Sequence, residues 1–431
     1  MNKKGVSEEE LLAELSFFSD TDTNFKKVFS SMCTIPHPIA VVAQQQFSLS
    51  NIGDPGLFQG TCRMEMEIIR MSAFMLKHPD SVSAFGHMTS GGTESNIEAV
   101  FHMKNRFLSF SSFSSSHESK TQKIQNSSKL NDSKLNLILP KTAHFSFEKI
   151  ANLLDIELKK ADIDSDFRVI SESVESLIDK NTIGLIGIAG NTEFGECDPI
   201  ESLSEIALKY NLPLHIDAAF GGFVYPFLEI ENESKDESKN EIANKFAFDL
   251  PGVTSVSIDP HKMGLSVIPA GVLVFRDESF LNLSLDKIKV QTPYLTSKYQ
   301  STLTGTRSGS SVAATYAVMK HLGFDGYKKN VAYCMDLVNH FKKELSKIGL
   351  KPYISPKINI IVVSIENKNK KIADCADYAE IEKIRSQLLE KYGWNVSATK
   401  TIPALRFVLM PHVTKEDITR MISDLKELID Y

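Results

Sequence analysis

The chain has 431 residues, 42% hydrophobic and 24% charged, which is ordinary globular usage and excludes a collagen-like or largely disordered protein. Lys and Arg number 48 against 54 Asp and Glu, and the resulting net charge of −6 argues against a protein built to grip nucleic acid or anionic lipid. No apolar run reaches the roughly 18 residues of a membrane helix. The opening residues carry Lys3 and Lys4 with no apolar stretch behind them, so no signal peptide is expected and the chain reads as cytoplasmic. Cys33, Cys62, Cys197, Cys334 and Cys375 are odd in number and far apart, which points to buried thiols rather than disulfides or a zinc site.

In chain order, Glu8 to Phe18 reads as an acidic helix, and the prolines at 36 and 38 forbid a helix through the stretch that ends there. Asn51 to Thr61 is a Gly/Pro-rich loop, followed by a helical pattern with Met64, Ile68, Met71 and Met75 on one face. Gly91-Gly92-Thr93 opens a helix to about Met103, Leu135–Leu139 is an apolar strand and Ser146–Leu154 a helix. Strands follow at Thr182–Ala189, Leu214–Asp217, Val253–Ile258 and Val272–Phe275, with a helix at Pro199–Tyr210. Short apolar strands separated by amphipathic helices predict an α/β architecture with a mostly parallel central sheet covered by helices. Two polar stretches, Ser109–Lys134 and Glu229–Lys245, read as surface insertions. Helices near Ser311 and over Tyr333–Leu345 lead to a β-α-β-α tail: strand Ile358–Ile365, helix Ile381–Tyr392, strand Leu405–Leu409 and helix Lys415–Ile429. The expected division is an N-terminal arm over 1–50, a large domain over 51–320 and a small C-terminal α+β domain over 321–431.

Four stretches carry chemistry. In Ser255–Gly264, Lys262 follows His261 just past an apolar strand, where a lysine is either a buried ion-pair partner or a nucleophile. In Leu214–Gly222, Asp217 sits at the carboxyl end of another strand, before small residues that let a flat ligand approach. Thr89–Asn96 is a glycine-rich loop entering a helix, an anion site in which the Thr93 and Ser95 hydroxyls would add donors. His144 stands at a helix start. Singly each has a structural explanation. Jointly they supply what pyridoxal 5'-phosphate needs: a lysine for the aldehyde, a carboxylate for the ring nitrogen, a flat residue over the ring and an anion cradle.

HIDAAFGG, SIDPHKMG, TSGGTESN and AHFSFEK resemble the group II amino-acid decarboxylases of the fold-type-I pyridoxal-phosphate superfamily. SMCTIPHPIA, GDPGLF, TLTGTRSG and PHKMGLSVIPAG are similar, more narrowly, to the archaeal L-tyrosine/L-aspartate decarboxylases. The resemblance runs from Lys4 to the C-terminus, broken by the two insertions. It implies that Lys262 binds the cofactor aldehyde, Asp217 pairs with the ring nitrogen, Ala219 packs on one ring face and His144 stacks on the other. It also implies that Gly92 and Thr93 hold the phosphate, with His261 nearby and Thr192 close to the ring substituents. The loop carrying Gly305, Thr306 and Arg307 would reach the neighbouring subunit's site, making a homodimer with active sites at the interface. Arg406 would bind the substrate carboxylate, with Arg307 a second candidate cation, and Tyr294 or Tyr299 would return a proton to Cα.

An aspartate substrate calls for a cation from among Lys298, Arg307, His37 and His261, and a tyrosine substrate for an aromatic slot from Phe58, Phe220 and Tyr294. Two other readings remain open: a carbon–carbon lyase of the sphingosine-phosphate-lyase type, and an inactive partner subunit with the same fold.

Overall fold

In the computed structural model, the described residues are 3–114, 134–228, 245–278, 290–365 without 292, 294, 297, 298 and 301, and 377–429. Most of both polar insertions, Cys375, and Tyr294 and Lys298 lie outside them.

The helices are α1 (Glu8–Thr21), α2 (Pro38–Gln46), α3 (Gln59–Met75), α4 (Gly92–Ser114), α5 (Ser146–Leu154), α6 (Ser171–Ser176), α7 (Ile200–Tyr210), α8 (Gly309–Lys347), α9 (Tyr378–Tyr392) and α10 (Lys415–Ile429). The main strands are β1 (Phe85–Thr89), β2 (Asn136–Pro140), β3 (Glu157–Ala161), β4 (Thr182–Ile188), β5 (Leu214–Asp217), β6 (Val253–Ile258) and β7 (Gly271–Phe275). Together these form a seven-stranded sheet of order β1-β7-β6-β5-β4-β2-β3. Strands β3, β2, β4, β5 and β6 pair in parallel, and β7 runs antiparallel to both β6 and β1.

The central strands are apolar without alternation because both faces are covered. Leu137, Ile138 and Leu139 of β2 and Ile183, Leu185, Ile186 and Ile188 of β4 are all buried. Against them α5 places Phe147 and Ile150, and α7 places Ile200, Leu203 and Ala207. All the parallel strands point their carboxyl ends to one edge, where an open α/β sheet gathers ligands.

Short strands β8 (Val290–Gln291) and β9 (Tyr299–Gln300) form a separate hairpin pair. Strands β10 (Ile360–Val363), β11 (Ser397–Ala398) and β12 (Leu405–Val408) form an antiparallel sheet of order β10-β12-β11. A second core lies under that sheet, built from Leu337, Phe341, Ile384, Leu388, Phe407, Met421 and Leu425. The arm joins it. Phe29 is fully buried there against Trp394, and its backbone bridges Asn395 and Val408 (2.7 Å each). The chain from Ser30 to His37 thus crosses from the small sheet to the edge of the large one.

The stretch up to His37 is non-helical as expected, and helix α2 starts at Pro38, because proline is tolerated at the first helical position and the His37 side chain caps it. Other expectations need correction. The α4 helix runs past Met103 to Ser114, so the first residues of the expected insertion are helical. The edge strands β1 and β3 and the short α6 and β11 carry too little apolar pattern to be read in advance. The two helices expected after Ser311 are both present within α8, meeting at a non-helical kink at Gly323 (φ 57°, ψ −169°).

Candidate active site

A cavity of about 370 Å3 lies at the carboxyl edge of β4, β5 and β6. It is lined by Lys262, Asp217, Ala219, His144, Gly92, Thr93, Thr192 and His261, which gathers eight of the residues singled out in the sequence. The tertiary fold brings them together from five separate stretches.

Lys262 follows β6 through a tight turn in which its N–H donates to the Asp259 carbonyl (3.0 Å). Its Nζ lies 3.0 Å from Asp259 Oδ2. Burial alone would lower the ammonium pKa, but the Asp259 and Asp217 carboxylates outweigh it and hold Lys262 above its ordinary range. Lys262 is thus a buried ion-pair partner that also lines the cavity.

Asp217 ends β5 and is 7% exposed. Its Oδ2 accepts from Asn96 Nδ2 (2.8 Å) and its Oδ1 from the Ala219 N–H (3.1 Å). These two bonds aim the carboxylate into the cavity.

The loop from β1 into α4 presents Ser90, Gly91, Gly92 and Thr93 to the same space at the positive end of a 23-residue helix. Space at the two glycines is tight: a Cβ on Gly91 would come within 3.1 Å of the His261 ring, and one on Gly92 within 3.1 Å of Ala219 Cβ. Glu94 fixes the loop by accepting from the Ser90 N–H (2.7 Å). Ser95 does not add a donor as expected; it is fully buried with its hydroxyl on Thr89 (2.7 Å), because its place on α4 turns it toward β1.

His144 accepts from the Ser146 N–H through Nδ1 (3.2 Å), so the remaining ring hydrogen sits on Nε2. Burial lowers its pKa, and the ring is neutral at pH 7. Its ring centroid lies 4.0 Å from that of Phe145, with the two planes tilted by 40°.

Other residues fall elsewhere. Thr306 and Arg307 line a neighbouring cavity of about 240 Å3 with Glu94 and Thr304, and Ser90 is common to both spaces. Gly305 is next to them, its carbonyl against Gly53. Arg307 is occupied by Glu65 and the Met88 carbonyl (2.8 Å). Arg406 is 5% exposed and does not line the main cavity. Its Nη1 donates to Ser30 O and Ser397 Oγ (3.1 Å each), while Nε and Nη2 have no partner among the described residues. Burial lowers its pKa to about 10. His37 caps α2 beside His321 (4.9 Å between ring centroids), away from the cavity. Phe220 does line the cavity, though only 2% exposed. Tyr294 lies outside the described residues. The backbone of Tyr299 pairs with Gln291 in β9, and its side chain lies outside the description.

Three polar cavity residues were not singled out from the sequence. Asn96 is one helical turn beyond Gly92 and so shares its face; that spacing was the available signal. Asp259, three residues before Lys262, pairs with it and keeps Oδ1 unpartnered among the described residues. Thr142 lines the cavity with a buried hydroxyl in the same condition.

A lysine, a carboxylate opposite, a neutral imidazole, unpartnered polar atoms and a glycine cradle at a helix start fit a flat phosphorylated pyridine. With the seven-stranded sheet, they define a fold-type-I pyridoxal-phosphate enzyme. A family model described as "Pyridoxal-dependent decarboxylase conserved domain" matches residues 60–366. A Methanosarcina acetivorans protein named "Probable L-tyrosine/L-aspartate decarboxylase" is 49% identical over 99% of each chain. Glutamate decarboxylase of Lactobacillus brevis superposes with a TM-score of 0.82 at 22% identity, covering 100% of this chain and 94% of its own. A sphingosine-1-phosphate lyase of Burkholderia pseudomallei superposes with a TM-score of 0.78 at 25% identity, covering 100% and 92%. The chain belongs to the pyridoxal-dependent decarboxylases. It is a decarboxylase, and its cofactor is pyridoxal phosphate.

Proposed function

We propose that the protein removes the α-carboxylate from L-tyrosine, giving tyramine, from L-aspartate, giving β-alanine, or from both, in the service of methanofuran and coenzyme A synthesis in the cytoplasm. The convergence of Lys262, Asp217, His144 and the Gly91–Thr93 cradle on one cavity supports the cofactor site, and the decarboxylase family match over residues 60–366 carries the reaction type. The 49% identity over 99% of both chains supports the substrate pair. The lyase reading shares the fold, so the fold alone does not favour it over decarboxylation.

When bound, pyridoxal phosphate supplies a conjugated ring that takes up the electron pair left at Cα as carbon dioxide departs. Lys262 would hold its aldehyde carbon, and the Ser90–Thr93 amides and hydroxyls with His261 would hold its phosphate. Asp217 would keep a proton on the ring nitrogen, since a nearby negative charge favours the protonated form. Ala219 and His144 would enclose the ring between a methyl group and a flat imidazole. With its pKa lowered by burial, a neutral His144 would stack without opposing the pyridinium charge. A residue that gripped the substrate carboxylate would fix its orientation and so select the reaction. Arg406, with two guanidinium nitrogens that have no partner among the described residues, is the candidate for that grip. Tyr294 or Tyr299 is the candidate for returning a proton to Cα.

The protein is a homodimer on this reading, with Gly305, Thr306 and Arg307 extending toward the partner's site. Helix α1 supports a second copy, since it buries none of its residues and leaves Leu11, Leu12, Leu15, Phe17 and Phe18 exposed. The proposed division into 1–50, 51–320 and 321–431 gives each of the two larger parts a core of its own, although Tyr327, Val331, Ile360 and Val408 pack in the first and Phe29 of the arm in the second.

Product formation tests the proposal. Purified protein with added cofactor is given tyrosine and aspartate separately, and tyramine, β-alanine and carbon dioxide are scored. Release of at least one amine with stoichiometric carbon dioxide is expected. Neither product, with cofactor bound, would overturn the substrate assignment and favour the lyase.

A further inference from the structure

Asp217 stands at the end of a row of polar side chains that face α4. His215 and Asp217 are two apart on β5 and therefore share a face, and Ser255 and Ser257 lie opposite them in register on β6. His215, Ser255 and Ser257 are fully buried, and Asn96 is 1% exposed. Four such polar groups in a core are tolerated only if they satisfy one another.

Their bonds have a single consistent solution. Asn96 Nδ2 donates to Asp217, while Asn96 Oδ1 lies 3.0 Å from both Ser257 Oγ and His215 Nε2. Rotating the amide would set an oxygen 2.8 Å from a carboxylate oxygen, so the orientation is fixed by charge repulsion. With Oδ1 an acceptor, His215 Nε2 must carry the hydrogen. Burial drives this imidazole down to about 4, so it is neutral and its Nδ1 accepts from Ser255 Oγ (2.9 Å).

We propose that Asn96, His215, Ser255 and Ser257 form a charge-neutral positioning network that fixes the Asp217 carboxylate while leaving its negative charge uncancelled, a role that rests on the cofactor reading of this site. The distinction matters chemically. An arginine or imidazolium in the place of Asn96 would orient Asp217 equally well, but it would neutralise the charge that keeps a proton on the ring nitrogen. An amide dipole orients the carboxylate and leaves its basicity for the ring. The residues are positioning residues; Asp217 alone among them faces the cavity with Asn96.

Nitrogen-15 NMR and kinetics test the network. In the protein without cofactor, His215 should be neutral with its hydrogen on Nε2 from about pH 5.5 to about pH 8, the range over which an ordinary histidine titrates. In protein loaded with ring-labelled pyridoxal phosphate, Asn96→Ala should lower the pH at which the ring nitrogen loses its proton by about one unit or more. The same variant should lose about ten- to a hundredfold in kcat with KM within about threefold, the effect of removing one hydrogen bond to a charged group. His215→Gln, which restores a donor near the Nε2 position, should recover at least about tenfold relative to His215→Ala. An imidazolium or an Nδ1–H tautomer at His215 would overturn the proposal, as would an unchanged ring-nitrogen signal in Asn96→Ala. Should Asn96→Ala fail to fold, the tautomer in the unaltered protein still decides. A protein that gave every expected NMR signal yet decarboxylated neither tyrosine nor aspartate would refute the proposed function and leave the network standing.

Discussion

Lys262 is held as an ammonium by Asp259 and Asp217 before any cofactor arrives, so its proton must move before its nitrogen can act. Lys262→Ala should therefore remove both the visible absorbance of bound cofactor and the activity, leaving less than about one-thousandth of the parental rate. Spectra and carbon dioxide release check this, and parental turnover in the variant would remove Lys262 from the site. A second residue outside the cavity acts on stability. Glu196 is 4% exposed, and burial raises its pKa from 4.5 to about 7 against the opposing charges of Lys357 and Arg168. Below 4.5 the folded and unfolded chains both carry the proton; between 4.5 and about 7 only the folded chain does. The unfolded state thus binds fewer protons, and this residue's contribution to stability falls as pH rises through that window. Glu196→Gln should flatten the fall of Tm between about pH 5 and pH 7.5 and stabilise the protein at the upper end by on the order of 2 kcal/mol. Parallel Tm curves for the two proteins would contradict the assignment.

At the scale of elements, α8 is the informative case. Its sequence reads as two helices, one from near Ser311 and one over Tyr333–Leu345, and between them the backbone at Gly323 takes φ 57°, ψ −169°, a region that side chains avoid. A Cβ at this position would meet nothing within 4 Å, so the cost of Gly323→Ala is conformational, about 1–3 kcal/mol lost on thermal unfolding. Gly60 of α3 also has open space around its missing Cβ but no positive φ, and Gly60→Ala should instead stabilise by about 0.5 kcal/mol. Equal effects at the two glycines would show that the kink carries no strain. Central elements such as β4, β5, β6 and α5 were legible because burial on both faces, or on one helical stripe, leaves a strong periodic signal. The edge strand β3, with Glu157, Lys159 and Lys160, has water on its side chains and no such signal.

For the whole molecule, the proposed dimer has a direct consequence. If Gly305, Thr306 and Arg307 complete a partner's site, dilution should remove activity in step with the dimer seen by sedimentation, and an active monomer would refute the shared site. Helix α1 gives the same expectation a thermodynamic basis, since five exposed large apolar side chains on one short helix are uncovered in the single chain. The arm also acts within one chain: Phe29 lies in the C-terminal core while Met32 lines the main cavity.

The sequence by itself determined the layered architecture, the lysine, the carboxylate, the histidine and the glycine cradle. Each of these depends on local chemistry: a strand end, a helix start, or a residue type that few environments accept. The tertiary structure decided which of them meet. Asn96 reaches Asp217 across 121 positions of chain, and Arg406 reaches Ser30 across 376. Contacts of that span leave no periodicity in a single sequence, because each follows from packing between elements rather than from the residues on either side.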